Sequence, residues 1–388
     1  MTAKITVALV GLGFGAEFVP IYRDHPDVDR LVICDADPDV LAAVGEQFGI
    51  QERHASLDDV LAQDHIDAVH LVTRLPDHGR ESIAVLSAGK HCASTVPMAL
   101  SIEEMHEIVR LQGATGKNYM MMETAVYTRE FLHCQTLFDE GRFGAITFAK
   151  GSHYQDMEGW PAYWRGLPPH FYMTHAIAPV LRLLGARATS VRCLGSGRLP
   201  ADRAAQYGNP FPAETAIFEL EGSDAAVEVS RTLFQATRSY SEAFAVYGER
   251  YGFEWPQLED EPPVHFLRAT GAGEDARGDG IEARRIEAPD RGDLLPAEIA
   301  GYTGSSVFAD GSHASFVQGG GHGGSHPHLV HEFVRSIVEE RLPAIDAVTA
   351  ANWTAPGVIA HESALQGGVP LAIPAFDGVG RHGAESPA

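Results

Sequence analysis

A tyrosine and a histidine three residues apart, Tyr172 and His175, have side chains well suited to proton transfer. On a helix, residues at this spacing share a face. Histidine titrates near neutral pH and can take a hydroxyl proton, while an adjacent phenol can relay or hold that proton. The pair could equally be a packed contact at a helix start. We predict general acid–base catalysis at this pair.

Two more ionisable groups are candidates for the same site. Glu123 ends an apolar run, 119–123, that is predicted to be a strand of a parallel sheet. Ligands bind at the carboxyl edge of such sheets, so a catalytic or cofactor-binding role is predicted, although a simple strand-end acid would look the same. His153 lies at the end of a later predicted strand and is a third catalytic candidate, or a solvent-facing side chain.

An aromatic cluster with one cation follows at 160–165. Aromatic rings of this kind stack on sugar rings, and they also serve as ordinary core and rim residues. Trp164 and Arg165 are predicted to contact the substrate, and Arg165 could meet an anionic group.

The elements that must position these groups begin with a glycine-rich turn. An apolar strand is predicted at 5–10, and a G-x-G-x-x-A turn follows it, which contains Gly11, Gly13, Phe14 and Ala16. Glycine allows a tight turn and close approach of a pyrophosphate, and the N–H groups of the following helix start bind the anion. A plain strand–turn–helix without a ligand is the alternative.

An acidic residue supports a dinucleotide. A second predicted strand, 31–34, ends at Asp35, at the distance from the glycines where an acid meets the adenosine ribose hydroxyls. Asp37 follows instead of an arginine, and a second acid would repel a 2′-phosphate. The predicted cofactor is therefore NAD and not NADP.

The chain divides into two predicted domains and a tail. Residues 1–123 alternate short strands and helices, which is typical of a doubly wound parallel sheet, a Rossmann domain. Residues 124–375 contain five predicted strands with little helix between them and two later helices, which indicates an α+β domain with a largely antiparallel, open sheet. The long segment 268–325 shows little periodicity, and residues 376–388 are predicted to be a mobile tail.

Composition limits the partners. The chain has 388 residues and a formal charge of −23, which argues against nucleic acid and anionic membranes as partners. Its four cysteines are widely spaced and fit free thiols in a reducing cytoplasm. A homodimer or homotetramer formed through the C-terminal sheet is expected.

A histidine-rich segment, 322–331, raises the question of a metal. It lacks a cysteine or a histidine pair with established helical spacing, so no metal is predicted. A glycine-rich lid, 319–324, that brings His322 to the substrate is the preferred interpretation.

Several motifs resemble those of the Gfo/Idh/MocA oxidoreductase family, which includes glucose–fructose oxidoreductase and inositol dehydrogenase. The resemblance rests on Thr73, His78, Gly89-Lys90-His91 and the segment 97–100, and it extends over nearly the whole chain. It implies cofactor contacts at Thr73, His78, Thr95, Pro97 and Glu123.

Two departures from that family stand out. Where the family has Glu-Lys-Pro this chain has Thr95-Val96-Pro97, and valine cannot donate, accept or carry charge. Phe171 also stands where the family has an acid four residues before its histidine.

One branch of the family, the NAD-dependent glycosidases typified by α-N-acetylgalactosaminidases, is more similar. It shares Val96-Pro97, a strand ending at Glu123, the Tyr172 to His175 motif and the loop at 322–324. The departures are Thr95 for glutamate, Met173 for proline and His153 for tyrosine.

The resemblance implies an NAD-dependent glycoside hydrolase with no net redox change. It would act on a small-molecule sugar glycoside, an N-acetylhexosaminide or a sulfoquinovoside. A sugar or inositol dehydrogenase that uses His175 without the lysine is the first alternative. A non-catalytic NAD-binding sensor is the second.

Overall fold

The first domain is a parallel sheet wrapped by helices. The computed structural model describes residues 4–269, 279–304, 315–318 and 320–377. Six strands pair in parallel in the order β3-β2-β1-β4-β5-β6. The strands are β1 (Ile5–Val10), β2 (Val28–Cys34), β3 (Arg53–His54), β4 (Ala68–Leu71), β5 (His91–Ser94) and β6 (Tyr119–Met121). The helices are α1 (Val19–Asp24), α2 (Pro38–Phe48), α3 (Leu57–Leu61), α4 (His78–Ser87) and α5 (Ile102–Thr115).

Local sequence explains where these helices begin and end. The side chains of Asp37, Ser56 and Ser101 cap α2, α3 and α5 by accepting backbone N–H groups of the first turn. Gly49 and Gly116 end α2 and α5 in the left-handed conformation. The strands β1 and β4 are buried at every residue, because both faces of a doubly wound sheet are covered.

The second domain contains a nine-stranded, mostly antiparallel sheet. Its order is β14-β13-β12-β11-β7-β10-β9-β8-β15, and the central β7–β10 pair is parallel. The strands are β7 (Ile146–Tyr154), β8 (Ala188–Ser196), β9 (Ala213–Leu220), β10 (Ala226–Thr232), β11 (Ser241–Gly248), β12 (Tyr251–Glu254), β13 (Val264–Arg268), β14 (Ile281–Arg285) and β15 (Leu371–Ala372). The helices are α6 (Arg129–Asp139), α7 (Thr174–Leu184), α8 (Ala201–Ala204), α9 (Ala297–Ala300), α10 (His326–Val338) and α11 (Ala347–Leu365).

This sheet is covered by helix on one face, and part of its other face is open. Helix α7 lies directly on β7, where a Cβ on Gly151 would stand 1.9 Å from the carbonyl oxygen of Ala176. Only glycine permits this approach, which brings the start of α7 onto the sheet. On the opposite face Leu194 and Ile217 are 62% and 44% exposed. The predicted open, largely antiparallel sheet is confirmed.

The C-terminal helices join the second domain to the first. The Met121 N–H donates to the Ile345 carbonyl over 3.1 Å, and Arg335 of α10 pairs with Asp27 at 2.8 Å. No helix among the described residues is long and apolar enough to span a membrane.

Three sequence-based expectations differ in detail from the structure. The stretch 268–325, expected to lack regular elements, contains β14 and α9. The strands β12, β13 and β15 and the helix α7 were not predicted as elements. The tail was predicted to be mobile from Phe376, but that side chain is buried and its N–H donates to Asn352. Residues 378–388 lie outside the described residues.

Candidate active site

The cofactor end of the site is a glycine turn faced by an aspartate. Gly11 has φ +90°, and a Cβ there would lie 2.3 Å from the carbonyl oxygen of Val72. A Cβ on Gly13 would meet no atom within 4 Å. The Asp35 carboxylate accepts the Leu12 N–H over 2.6 Å and the Asp37 N–H over 2.8 Å, so it is held in place at the end of β2. The open cradle at Gly13 and the fixed acid fit a dinucleotide.

One cleft of about 660 Å³ runs from this turn to the tyrosine and histidine of the second domain. The predicted site residues that line it are Gly11, Gly13, Phe14, Asp35, Thr73, His78, Thr95, Trp164, Tyr172, His175 and His322. The predicted residues that do not are Ala16, Pro97, Glu123, His153 and Arg165. Glu123 and His153 lie behind the lining side chains, and Arg165 is exposed to solvent.

His78 forms hydrogen bonds that position the loop Thr95-Val96-Pro97, which replaces the Glu-Lys-Pro of the similar family. The His78 Nδ1 lies 2.9 Å from the Pro97 carbonyl oxygen, and Nε2 lies 3.2 Å from the Thr95 hydroxyl. Burial lowers the pKa of His78, although its hydrogen bonds to the Pro97 and Thr73 carbonyl oxygens act in the opposite direction. Val96 lies between these two residues and lines the cleft, so an apolar side chain occupies this part of the wall.

The acid–base pair is backed by a buried carboxylate. The His175 Nδ1 lies 2.5 Å from Glu123 Oε1, and both side chains are fully or almost fully buried. The His175 Nε2 lies 3.3 Å from the Tyr172 hydroxyl, which lines the cleft. Nδ1 can therefore donate to Glu123 while Nε2 exchanges a proton with Tyr172. The two residues do not share one helix as the spacing suggested: Tyr172 ends a 3₁₀ turn and His175 lies in the first turn of α7, and their side chains meet across the junction.

A second carboxylate, which sequence reasoning missed, faces the same histidine. Glu242 Oε1 of β11 lies 3.6 Å from His175 Nε2 and accepts a hydrogen bond from the Tyr240 hydroxyl. Burial by itself lowers the pKa of His175, but the charges of Glu123 and Glu242 outweigh it and raise that pKa. Burial raises the pKa of Glu242, against the opposing effect of His175.

His153 forms the floor beneath this array. Its ring centroid lies 5.3 Å from that of His175, 5.6 Å from Tyr172 and 5.2 Å from Tyr240. Both of its ring nitrogens are buried without a hydrogen-bond partner among the described residues. Burial holds its pKa well below the ordinary value, so the ring is neutral.

Arg231, also missed, is fully buried beneath Tyr172. It donates to the Tyr172 carbonyl oxygen over 2.8 Å, to the His153 carbonyl oxygen over 3.1 Å and to Gln155 Oε1 over 3.0 Å. Its guanidinium therefore fixes the backbone of both elements that present the array. Burial lowers its pKa to about 10, which leaves it charged at neutral pH.

Strand alternation is the signal that could have found both missed residues. Glu242 is in phase with Phe244 and Val246, which point into the core, and Arg231 is in phase with Val229. A charged residue on the buried face of a strand indicates a partnered, functional or structural site.

The histidine-rich segment contributes one side chain to the cleft. His322 lines it, whereas His326 lies 3.4 Å from Glu17 and His331 lies 3.1 Å from His25. Gly319, part of the predicted lid, lies outside the described residues.

Among the residues described, a cluster with metal-compatible spacing occurs elsewhere. The ligand atoms of His170, Cys193 and Glu214 lie within 4.8 Å of one another. The Glu214 carboxylate already binds His170 Nδ1 at 2.9 Å and His361 Nδ1 at 2.6 Å, which lowers its pKa to about 2 despite burial. The hydrogen bonds account for the cluster without an ion.

The structure thus combines a glycine turn faced by Asp35 with a buried acid–base array at the far end of the same cleft. These features define a two-domain, NAD-binding protein of the oxidoreductase type. Comparison with known proteins agrees. The family model GFO_IDH_MocA, described as "Oxidoreductase family, NAD-binding Rossmann fold", matches residues 5–123. The match is confined to this N-terminal domain, and the cofactor is NAD.

Relatives in sequence carry a glycosidase name. A "Glycosyl hydrolase family 109 protein" of Streptomyces niveus is 24% identical over 401 residues, which cover 96% of this chain and 78% of the relative. One from Shewanella baltica is 28% identical over 234 residues, 54% of this chain and 51% of the relative. The alignment thus spans about half of the Shewanella protein. The names of these relatives confirm the resemblance to the glycosidase branch.

Two solved dehydrogenase structures have a similar fold. A levoglucosan dehydrogenase in complex with NADH has a TM-score of 0.75 at 18% identity, over 96% of this chain and 100% of that chain. The myo-inositol 2-dehydrogenase of Lactobacillus plantarum has a TM-score of 0.71 at 16% identity, over 96% and 100%. These matches confirm the two-domain fold.

Proposed function

We propose that this protein is an NAD-dependent glycoside hydrolase that oxidises, eliminates, hydrates and re-reduces a sugar without net redox change. The supporting observation is the buried Glu123–His175–Tyr172 array at the far end of the cleft that begins at the cofactor turn. The names of the sequence relatives support the same class. When bound, NAD supplies a hydride acceptor and donor at a sugar carbon, so no other oxidant is needed.

The array supplies the base for the sugar hydroxyl. Tyr172 presents its phenol to the cleft, the O3 proton passes through it to His175 Nε2, and Glu123 stabilises the imidazolium that forms. Oxidation at C3 acidifies the C2–H. Loss of the C2 proton forms the C1–C2 double bond and breaks the C1–O bond, and the leaving oxygen takes up a proton. Water then adds at C1, and the proton transfers run in reverse.

The apolar wall at Val96 supports elimination. A lysine near the reacting hydroxyl would help a dehydrogenase to lose a proton, but Val96 can take no part in proton transfer. In this proposal Tyr172 and His175, at the far end of the cleft, carry out the proton transfer from the sugar hydroxyl.

A conventional displacement mechanism fits poorly. Ordinary glycosidases use two carboxyl groups that flank the scissile bond. In the part of the chain that the structure describes, the acids that line the cleft are Asp35, Asp77 and Glu81, all in the first domain near the glycine turn. Glu123 and Glu242 are buried behind the lining.

The walls at the sugar end favour a neutral sugar. They carry the rings of Trp160, Tyr163 and Trp164, which suit stacking on a pyranose, and the amide of Gln155. Arg231 is fully buried and already engaged, and Arg165 is exposed away from the lining. Arg74 does line the cleft, but it pairs with Asp77 at 2.7 Å, so its charge is already balanced. An N-acetylhexosaminide is therefore preferred over a sulfoquinovoside.

The second candidate is a sugar dehydrogenase. It is favoured by the structural likeness to levoglucosan and inositol dehydrogenases, which at this level of identity concerns the fold. One tyrosine–histidine pair would suffice for that reaction.

Turnover in D₂O separates the candidates. A panel of 4-nitrophenyl glycosides identifies a cleaved substrate, and NMR of the released sugar should show deuterium at C2 and none at C3. Ketone release with NADH accumulation would instead identify a dehydrogenase. Full cleavage with an undeuterated C2 would identify a displacement glycosidase and exclude the proposed mechanism.

A further inference from the structure

The second carboxylate at His175 belongs to a separate tyrosine pair. Tyr240 immediately precedes β11, and its hydroxyl donates to Glu242 Oε1. Tyr240 lines the cleft and is half-buried, whereas Glu242 is 2% exposed and does not line it. The pair thus resembles Tyr172 and His175: a phenol that lines the cleft contacts a buried ionisable group.

The two phenols that line the cleft contact the same buried ring. His153 contacts both Tyr172 and Tyr240, with ring centroids 5.6 and 5.2 Å away. A substrate near His175 would therefore have both phenols within the same part of the cleft.

The proposed hydrolysis needs two proton acceptors at neighbouring atoms. The first proton leaves O3 and the second leaves C2. Once His175 has received the O3 proton, both of its ring nitrogens carry hydrogen and it cannot accept another. A second acceptor must serve C2.

We propose that Tyr240 is a second catalytic phenol and that Glu242 acts through it, so that the two form a separate relay for the C2 proton. This inference rests on the proposed function. In the step, the C2–H bond breaks and its proton joins the Tyr240 oxygen, while the Tyr240 proton passes to the Glu242 carboxylate. The C–H electron pair forms the C1–C2 double bond, and the C1–O electron pair leaves with the aglycone oxygen, which is protonated by water.

The surroundings of Glu242 suit this exchange. The groups that face it are His175 from α7, Tyr240, Glu123 from the end of the first domain and Arg231 from β10. Burial and the Glu123 charge raise the pKa of Glu242, while His175 and the Tyr240 hydrogen bond counteract them. A carboxyl group whose pKa is shifted towards neutrality is a better proton acceptor at physiological pH than an ordinary one.

The test compares Tyr240→Phe and Glu242→Gln with matched controls in the holoenzyme. Tyr247 of β11 donates to Glu254 of β12 over 2.6 Å, and neither residue lines the cleft. Tyr247→Phe and Glu254→Gln therefore make the same chemical changes on neighbouring strands. Two rates are measured with a 4-nitrophenyl N-acetylhexosaminide: single-turnover NADH absorbance, and deuterium uptake at C2 in D₂O.

Both relay variants should form NADH within about threefold of the wild-type rate, while C2 exchange and nitrophenol release fall about 10²–10⁴-fold. NADH should then accumulate to one equivalent per site instead of decaying. The two controls should match the wild type in both rates.

Three results would overturn the relay. Wild-type C2 exchange in both variants excludes it, and an equal fall of NADH formation and C2 exchange shows that the pair only supports His175. No C2 exchange in the wild type removes the proposed function and the relay together. If Glu242→Gln does not fold, as judged by NAD binding, the decision rests on Tyr240→Phe, because Tyr240 is only half-buried.

Discussion

Replacing Glu123 by glutamine tests the array most directly. The change keeps the side-chain shape and removes the charge that lies 2.5 Å from His175 Nδ1. Hydrogen bonds to a charged group contribute about 1.5–3 kcal/mol. If the Glu123 carboxylate stabilises the His175 imidazolium by this amount in the rate-limiting step, kcat of the variant should fall about 10- to 100-fold. Each 1.36 kcal/mol corresponds to a factor of about ten in rate.

The pH dependence of the variant has a definite sign. Burial lowers the pKa of His175, but Glu123 and Glu242 together raise it above the ordinary histidine value of 6.5. As a base His175 must be unprotonated, so the acid limb of the kcat/KM profile should move to lower pH when Glu123 loses its charge. A raised pKa stabilises the fold below about pH 6.5, and this stabilisation disappears as pH rises through the folded-state pKa. The stability difference between wild type and variant should therefore be largest in acid.

Steady-state profiles on the cleaved aryl glycoside and urea unfolding at about pH 5.5 and about pH 9 provide the measurements. Glu254→Gln is the matched control, because Glu254 bonds a tyrosine away from the cleft. An unchanged kcat with an unmoved acid limb, in a variant that still binds NAD, would refute the assigned role of Glu123.

Further predictions concern the cofactor turn and a buried cluster. Gly11→Ala should destabilise the first domain, because the new Cβ would lie 2.3 Å from the Val72 carbonyl oxygen at φ +90°. Gly13→Ala meets no atom within 4 Å, so it should keep the fold and lower NAD affinity; thermal unfolding and calorimetry distinguish the two effects. Glu214→Gln should lower the free energy of unfolding by about 3–5 kcal/mol, because it breaks a buried pair with two imidazoles. The folded-state pKa of Glu214 is about 2, below its ordinary 4.5, so this stabilisation is present above pH 4.5 and lost as pH falls towards 2. Urea titrations across that range should show the difference between wild type and variant shrinking on acidification.

Regular periodicity made most of the first domain predictable. The expected alternation of short strands and helices is observed. Capping residues such as Asp37 and Ser101 mark the starts of α2 and α5 in the sequence itself. The Rossmann sheet and the turn at Gly11 followed from the order of these elements. In contrast, β14 is exposed at all five residues, so it has no apolar alternation by which to recognise it.

The site residues that lie close together in the sequence could be predicted, whereas those brought together by strand pairing could not. Tyr172 and His175 are neighbours on the chain, whereas Glu242 reaches His175 only because β11 pairs with β7 beneath α7. That pairing depends on tertiary contacts, among them the close approach at Gly151. The carboxylate expected four residues before His175 by family resemblance is replaced by Phe171. In this fold, acids from elsewhere in the chain, Glu123 and Glu242, face the ring.

The histidine at the centre of the array takes one carboxylate from each domain. Glu123 is the last residue of the segment that matches the family model, while Glu242 belongs to the second sheet. A chimaera that exchanged residues 5–123 for another Rossmann domain would therefore exchange half of the charge that sets the basicity of His175. Transplanting cofactor preference between such proteins requires the donor domain to end in a carboxylate at the position of Glu123.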